Sequence, residues 1–268
     1  MGHIPRKRFG QNFLQDQGVI YDIVACINPQ PGEPLVEIGP GLAALTEPLM
    51  ARVGHLHVVE IDRDIVTHLV QRFKPEQLTI HNEDALKFDF GALAAHIAPG
   101  SRIRLAGNLP YNISTPLLFH LAEFGSSIAD MHFMLQKEVV DRIAAEPGTA
   151  DYGRLSIMLQ VRFATEHMLD VPPGAFYPPP KVDSAVIRLI PWPTPPWPVD
   201  DMPTLEKLVL KSFAARRKTL RNNLRGVVDD AELAGVDIDA GMRPEQITVE
   251  QYVRLANWMF AQKRAIGG

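Results

Sequence analysis

Short apolar runs typical of buried strands alternate with amphipathic helical segments through the first 190 residues of the chain. Parallel strands need a crossover between them, usually a helix, so this alternation predicts an α/β fold with a mostly parallel, doubly wound sheet. No convincing helical segment separates the last two runs, which predicts a terminal antiparallel hairpin at the sheet edge. The predicted strands are residues 35–38, 56–61, 78–81, 103–106, 131–135, 166–169 and 185–190. Helical periodicity occurs in residues 20–27, 42–53, 65–73, 116–124, 139–145 and 155–163.

The remainder of the chain has a different pattern. Of the 23 prolines, 11 fall between Val171 and Thr204, and residues 191–198 read PWPTPPWP, which is typical of a stiff extended linker. Beyond this segment no strand pattern occurs, and residues 205–225 and 249–263 have helical periodicity. We therefore predict an α/β domain (1–190), a Pro-rich linker (191–198) and a small all-helical domain (199–268).

Charge is distributed unevenly along the sequence. The 27 basic and 31 acidic residues give a formal net charge of −4, which by itself argues against a nucleic-acid partner. Six basic residues, however, lie within 211–225, a segment without any acidic residue. Such a segment favours localised binding to a polyanion, with an ordinary solvated helix face as the alternative.

Several classes of protein are excluded by simple counts. The single cysteine, Cys26, excludes an internal disulfide and a cysteine-built metal site, and the nine histidines are too scattered to predict a metal centre. The sequence contains neither an apolar run of membrane-spanning length nor the apolar stretch of a signal peptide at its N-terminus. We expect a cytoplasmic protein with no bound metal and no membrane partner.

Acidic residues and glycines stand at the ends of three successive predicted strands. The first strand leads into LVEIGPGLAALT, in which Gly39 and Gly41 let the backbone approach a ligand closely. Glu60 follows the second strand, placed to accept hydrogen bonds from both ribose hydroxyls of a nucleoside, and Asp84 follows the third, placed to accept from an adenine amine. In an open α/β sheet, ligands bind outside the carboxyl ends of the strands, so these residues predict a nucleoside site.

The glycine turn is compatible with two cofactors. Gly39, Gly41 and Ala44 match the dinucleotide fingerprint, and Glu60, 21 residues after Gly39, matches the acid of an NAD site. Glu37 favours S-adenosylmethionine, because a carboxylate just before the glycines repels a pyrophosphate but attracts the ammonium of a methionine. An NAD-linked oxidoreductase is the weaker alternative, since no His, Lys or Tyr constellation for hydride transfer is evident.

An Asn-Leu-Pro-Tyr tetrapeptide, residues 108–111, follows the fourth predicted strand. The exocyclic amine of adenine is a poor nucleophile because its lone pair is delocalised into the ring. Acceptors aimed at the amine hydrogens favour the pyramidal nitrogen that attacks a methyl sulfonium, and the Asn108 side chain and the Leu109 carbonyl are candidates. Tyr111 offers a face on which the base stacks. The same tetrapeptide in isolation is also an ordinary proline turn.

With these motifs, the chain resembles the ribosomal RNA adenine N6,N6-dimethyltransferase family, and within it the type that modifies small-subunit RNA. The resemblance covers almost the whole chain and implies a Rossmann-like class I methyltransferase domain followed by a helical domain that binds RNA or the ribosome. It rests on RFGQNFL (8–14), EIGPG (37–41), EID (60–62), DAL (84–86), NLPYNIS (108–114), QKEV (136–139), YGRLS (152–156), FYPPPKVDS (176–184) and the basic segment FAARRKTLRNNL (213–224).

The resemblance implies a role for each residue at the cofactor. Asn12 and Leu14 would close over S-adenosylmethionine, Gly39 and its neighbours would line the methionine end, Glu60 would hold the ribose and Asp84 the adenine. One position departs from the family pattern, which commonly reads GPGLG, because this chain has Ala43 in the last place. An extra methyl there could crowd the start of the following helix, although alanine is a good helix former and we expect binding to survive.

On the RNA side, the resemblance implies that Asn108 is shared between cofactor and target base. Phe176 would pack against the flipped adenine from the face opposite Tyr111, whereas in the alternative interpretation Phe176 is a core aromatic beside a proline turn. The residues predicted to bind RNA are Arg216, Arg217, Lys218 and Arg221.

We therefore predict a monomeric enzyme that dimethylates the N6 amines of two adjacent adenosines in the 3′-terminal hairpin loop of small-subunit (16S) rRNA, within an immature 30S particle. Two alternatives stay open. One is the related large-subunit activity that confers macrolide resistance. The other is a ribosome-assembly factor that acts chiefly by binding the particle, with methylation as a secondary mark.

Overall fold

The computed structural model describes residues 12–263 and divides the chain into two compact units. One unit contains the chain up to Val140 together with Ala164–Pro191, and the other contains Asp141–Phe163 and the chain from Trp192 onward. The second unit thus includes residues 141–163, which the sequence analysis placed in the first domain. The physical reason is local packing, because helix α7 (Arg154–Gln160) buries Ile157 and Leu159 and packs against helix α8 (Met202–Ser212).

The first unit is built on a seven-stranded sheet, as predicted from the alternation of strand and helix patterns. The spatial order is β4-β3-β2-β5-β6-β9-β7. The first five strands in this order are parallel to one another, and β9 is antiparallel to β6. The last two strands lie side by side at the sheet edge, as expected. The strands are β2 (Leu35–Ile38), β3 (Leu56–Val59), β4 (Leu78–His81), β5 (Ile103–Asn108), β6 (Ile128–Gln136), β7 (Phe163–Val171) and β9 (Ser184–Pro191).

Helices accompany the parallel strands, and three of them begin at side-chain caps. These three are α1 (Gln17–Ile27), α3 (Arg63–Arg72) and α4 (Phe90–Ile97). The aspartate before each of them (Asp16, Asp62 and Asp89) accepts a hydrogen bond from a backbone amide of the first turn, which satisfies a donor that a helix start leaves unpaired. The helices α2 (Thr46–Val53), α5 (Ser114–Ala122) and α6 (Lys137–Ala144) also lie in this part of the chain. Helix α4 is not predicted from the sequence, because only Phe90 and Leu93 among its buried residues are bulky.

A second, two-stranded sheet is also missing from the sequence prediction. Strand β1 (Phe13–Leu14) pairs antiparallel with β8 (Phe176–Tyr177), with Phe13 opposite Tyr177 and Leu14 opposite Phe176. Strands of two residues carry no readable alternation, so only the tertiary contact between distant segments reveals this pairing. It fastens the start of the described chain to the FYPPPKVDS segment.

In the second unit, described by itself, two longer helices, α8 and α11 (Val249–Ala261), pack together and the short helices α9 (Leu220–Asn223) and α10 (Asp230–Ala234) lie between them in sequence. The prediction of one helix over 205–225 is wrong beyond Ser212, since residues 213–217 form turns. Asn223 closes these turns by accepting a hydrogen bond from the Ala215 amide at 3.2 Å and donating one to its carbonyl at 3.2 Å. Within residues 12–263 no helix is long and apolar enough to cross a membrane.

Candidate active site

A cavity of about 340 Å³ opens at the carboxyl ends of the parallel strands in the first unit. This is the position at which open α/β sheets bind ligands, because backbone groups and loops of neighbouring strands converge there. The cavity brings together ten of the residues that the sequence singled out for cofactor or target, across strand ends far apart in the chain. These lining residues are Asn12, Leu14, Glu37, Gly39, Gly41, Glu60, Asp84, Asn108, Leu109 and Tyr111.

The glycine turn after β2 has the backbone conformation that favours glycine. Gly39 has φ +70° and Gly41 has φ +53°, in the left-handed region that residues with a Cβ rarely adopt. A Cβ at Gly41 would lie 3.4 Å from ring carbons of Phe13, so the turn also lets β1 pack closely against it. The turn thus leaves exposed backbone on one wall of the cavity.

Ala43 belongs to this turn and not to the following helix, which begins at Thr46. The expectation that Ala43 would act as a helix former at a helix start is therefore wrong. Its φ of +71° costs an L-residue about 1 to 2 kcal/mol. Its methyl is 2% exposed and lies in the core, and such burial contributes about 0.8 kcal/mol, which offsets part of that strain.

Two buried carboxyls face the cavity and are hard to ionise. Glu37 is 1% exposed, and burial raises its pKa to about 8, with the nearby Glu60 charge acting in the same direction. Burial also raises the pKa of Glu60 to about 7, opposed by a hydrogen bond from the Asp62 backbone amide. Glu37 Oε2 is buried without a hydrogen-bond partner among the described residues. Two buried acids, one of them with an unpartnered oxygen, favour a ligand that brings a positive charge or hydrogen-bond donors.

Glu60 and Asp84 also organise the loops that carry them. Glu60 Oε1 accepts from the Asp62 amide at 2.7 Å, and Asp84 Oδ1 accepts from the Leu86 amide at 3.0 Å. A backbone amide thus fixes the orientation of each carboxyl, and a carboxylate, with about four lone-pair sites, can still accept hydrogen bonds from a ligand. Strands β3 and β4 are neighbours in the sheet. Glu60, predicted to hold the ribose, and Asp84, predicted to hold the adenine, therefore follow adjacent strands.

Asn108, the last residue of β5, is held through its amide nitrogen. Asn108 Nδ2 donates to the Asn12 carbonyl at 3.2 Å, which ties the start of the described chain to the end of the strand. Leu109 is fixed by its backbone amide, which donates to the Met134 carbonyl at 3.2 Å. These contacts use donors, so they leave the Asn108 side-chain oxygen and the Leu109 carbonyl as acceptors at this end of the cavity.

Tyr111 lines the same end of the cavity and is anchored by a residue that the sequence analysis did not single out. Its hydroxyl lies 2.8 Å from Oγ of Ser184, the fully buried first residue of β9. Burial raises the pKa of Tyr111, so it stays a neutral phenol at physiological pH. The only sequence signal for Ser184 is its place at the end of the FYPPPKVDS motif, since the contact itself spans 73 residues.

Phe176 does not line the cavity. It is 5% exposed, pairs with Leu14 in the two-stranded sheet and belongs to the core cluster beneath the main sheet. This placement corresponds to the core-aromatic alternative, and stacking of Phe176 on a target base stays a prediction that requires the ring to leave its core position. The exposed aromatic of this segment is its neighbour Tyr177.

The predicted RNA-binding residues all lie exposed on the second unit, around the turn after α8, and they differ in their contacts. Arg221 forms a two-pronged ion pair with Asp230, at 2.9 and 2.7 Å. Arg216 donates to the Ala150 carbonyl. For Arg217 and Lys218 the described residues provide no side-chain hydrogen bond or ion pair, so these two cations are the ones most available to a polyanion. No cluster of metal-ligating side chains occurs within residues 12–263.

A Rossmann-like sheet with a cavity and an NLPY turn at its strand ends is the arrangement of a methyltransferase. The chain belongs to the ribosomal RNA adenine dimethylase family, whose model matches residues 2–261. A protein of Laribacter hongkongensis named ribosomal RNA small subunit methyltransferase A is 61% identical over 255 residues, 95% of this chain and 96% of that protein. A protein of the same name from Chromobacterium violaceum is also 61% identical, over 95% of each chain.

Solved structures agree on the fold. A dimethyladenosine transferase from Plasmodium falciparum superposes with a TM-score of 0.77 at 22% identity, covering 95% of this chain and all of that one. The 23S rRNA methyltransferase ErmE superposes with a TM-score of 0.69 at 26% identity, covering 91% of this chain and 98% of that one. The predicted Rossmann-like fold and helical C-terminal part are thereby confirmed, as is the resemblance to the family.

Proposed function

We propose that this protein transfers methyl groups from S-adenosylmethionine to the N6 amines of two adjacent adenosines in the 3′-terminal hairpin loop of small-subunit rRNA, in the cytoplasm, on an immature small subunit. The observation that carries the proposal is the pair of free acceptors at Asn108 and Leu109 beside Tyr111, at the end of a cavity whose other strand ends present Glu37, Glu60 and Asp84.

The cavity suits this cofactor better than a dinucleotide. Glu37 offers an unpartnered buried oxygen beside the glycine turn, where an ammonium would be favoured and a pyrophosphate disfavoured. Glu60 would accept from the ribose hydroxyls and Asp84 from the adenine amine. When bound, S-adenosylmethionine supplies a methyl group on a positively charged sulfur.

The chain's own residues prepare the target amine. Asn108 Oδ1 and the Leu109 carbonyl accept its two hydrogens, which favours a pyramidal nitrogen with its lone pair available for attack. Tyr111 holds the base by stacking, and its hydroxyl, fixed by Ser184, keeps the ring in place. Positioning is then the main catalytic device, and the target base must leave its stack to reach the cavity. Single-stranded or loop adenosines fit this requirement.

The small-subunit assignment is supported by the relatives at 61% identity, which carry that name, against 26% for the large-subunit enzyme. The decisive experiment incubates the protein with isotopically labelled cofactor and, separately, unmethylated small subunits, naked small-subunit RNA and large subunits. Mass spectrometry then maps the modified base. We expect two adjacent dimethyladenosines in the small subunit, and label in large-subunit RNA alone would overturn the assignment.

Replacing Glu60 with alanine is expected to weaken cofactor binding by one to two orders of magnitude. The change removes a charged acceptor, and a hydrogen bond to a charged group contributes about 1.5 to 3 kcal/mol. Calorimetric titration measures the affinity, with the exposed Glu76→Ala as a control of equal charge change. Unaltered affinity would mean that the cofactor does not lie across the end of β3.

The same variant separates the enzyme from the assembly factor. Glu60→Ala protein should bind immature small subunits nearly as well as the wild type. Glu60 lies in the predicted cofactor cavity and not on the turn after α8 that carries Arg216, Arg217 and Lys218, called the basic turn below. A variant that fails to methylate but still binds the particle and supports its maturation would favour the assembly role. One that binds without supporting maturation would favour methylation as the main function.

Charge reversal at the basic turn should weaken RNA binding. Changing Arg217 and Lys218 to Glu removes the two predicted RNA-binding cations for which the described residues provide neither a side-chain hydrogen bond nor an ion pair. Each lost phosphate contact lowers the slope of log affinity against log salt by roughly 0.7 to 0.9. Arg52→Glu with Lys74→Glu, on exposed positions of the first unit, is the control of equal net charge change. Filter binding across a salt series measures the slope. Equal slopes for the two variants would indicate that the basic turn is an ordinary solvated surface.

A further inference from the structure

The two-stranded sheet at the cavity leaves one large aromatic side chain in solvent. Phe13, Leu14 and Phe176 are 8%, 5% and 5% exposed, whereas Tyr177 is 61% exposed. Successive residues of a strand point to opposite faces, so Tyr177 lies on the face opposite to Phe176 and on the same face as its partner Phe13. The register of β1 with β8 therefore holds Tyr177 beside Phe13, and its ring is exposed although the ring of Phe13 is buried.

Tyr177 lies next to the wall of the cavity. Its direct partner across the sheet is Phe13, which lines the cavity and packs against the glycine turn. Seven residues later the same segment reaches Ser184, which holds the hydroxyl of Tyr111. Both ends of residues 177–184 are therefore close to cavity residues, Tyr177 through its partner Phe13 and Ser184 through Tyr111.

The backbone beneath Tyr177 is held firmly. Besides the pairing of β1 with β8, the Ala175 carbonyl accepts hydrogen bonds from the amides of Gln15 at 2.8 Å and Asp16 at 3.3 Å. A tyrosine has few rotatable bonds, so a ring presented from fixed backbone loses little conformational entropy when a base stacks on it. The exposed Lys181 in the same segment adds a cation suited to a phosphate.

We propose that Tyr177 is a positioning residue that stacks on the nucleotide next to the target adenosine. The target base itself belongs with Tyr111, because Tyr111 lines the cavity and Tyr177 does not. A flipped nucleotide leaves its neighbours unstacked, and an exposed ring beside the cavity mouth replaces one of the lost stacking partners. This inference rests on the proposed function and adds to it a determinant of how the RNA is held.

The test compares Tyr177→Ala and Tyr177→Phe with the wild type on unmethylated small subunits. Tyr177→Ala should raise KM for the RNA substrate about five- to 150-fold, the range that about 1 to 3 kcal/mol of base stacking represents, with kcat and cofactor affinity unchanged. Tyr177→Phe keeps the ring and should retain the wild-type KM. Tyr21→Ala, which removes a similarly exposed tyrosine of α1, is the matched control and should change neither parameter.

A second substrate identifies the partner of the ring. Two small-subunit substrates are reconstituted, one with an abasic site immediately before the target adenosine and one with an abasic site immediately after it. With one of these two substrates, wild type and Tyr177→Ala should have the same KM. An unaltered KM for Tyr177→Ala, or a difference that persists with both abasic substrates, overturns the inference while methylation by the wild type still supports the proposed function. A wild-type protein that methylates no small-subunit RNA would instead contradict the proposed function.

Discussion

Replacing Asn108 with alanine is expected to lower the methylation rate about a hundred- to thousandfold while the protein stays folded. The variant loses the acceptor that favours the reactive geometry of the amine, and removing one preorganised polar group from a transition state typically has an effect of this size. The side chain is half-buried and donates one hydrogen bond, to the Asn12 carbonyl, so the free energy of unfolding should fall by only about 1 kcal/mol. Single-turnover kinetics and thermal unfolding on the same preparation measure the two quantities.

Asn108→Asp provides the matched comparison. Aspartate keeps an acceptor for the target amine but loses the amide that donates to Asn12, so its rate should lie between those of the wild type and Asn108→Ala. Equal rates for the alanine and aspartate variants would indicate that the contact with Asn12, and not the acceptor, is what matters. Near-normal turnover by a folded Asn108→Ala protein would remove the amine-activation argument altogether.

Replacing Gly107 with alanine is expected to have the largest effect on stability of any single methyl added to this protein's sheet. A Cβ at Gly107 would lie 2.3 Å from the Ile38 carbonyl oxygen, a backbone atom that cannot move without disturbing the paired strands β2 and β5. Overpacking of this kind costs about 3 kcal/mol or more. Because Ile38 leads directly into the glycine turn, cofactor binding should be lost as well.

Gly174→Ala is the control, since a Cβ there meets nothing within 4 Å. Urea unfolding should give nearly equal free energies for Gly174→Ala and the wild type and a clearly lower value for Gly107→Ala. A Gly107→Ala protein with wild-type stability and cofactor affinity would show that β2 and β5 are not as close at this point as the geometry requires.

Most of the first unit could be predicted from local pattern. The predicted strands at 35–38 and 78–81 coincide with β2 and β4. All four residues of β2 are buried, and a strand buried on both faces reads as a largely apolar segment. The predictions failed where the deciding contact is not local. Helix α8 ends at Ser212, where the side chain of Asn223 closes the following turn by bonding to Ala215, eight residues before it, although the basic segment continues the helical pattern.

The candidate site was likewise predictable from the sequence only in part. The strand-end rule and the residue types were sufficient to single out Glu37, Glu60, Asp84 and Asn108, because the carboxyl ends of parallel strands meet at one edge. The anchoring of Tyr111 by Ser184 spans 73 residues and has no local signature. Likewise, the departure at Ala43 is visible in the sequence, but its cost arises from a positive φ that only the folded turn defines.

Periodicity and motif spacing are local properties of the chain, and they were sufficient to predict the fold class, the family and the types of residue at the site. Which aromatic side chain of FYPPPKVDS faces solvent depends instead on contacts between distant segments. The pairing of β1 with β8 sets Phe176 opposite Leu14 and Tyr177 opposite Phe13, on the two faces of the small sheet. Only Tyr177 of these four side chains is exposed, because the packing of distant parts of the protein decides how much of each face is covered.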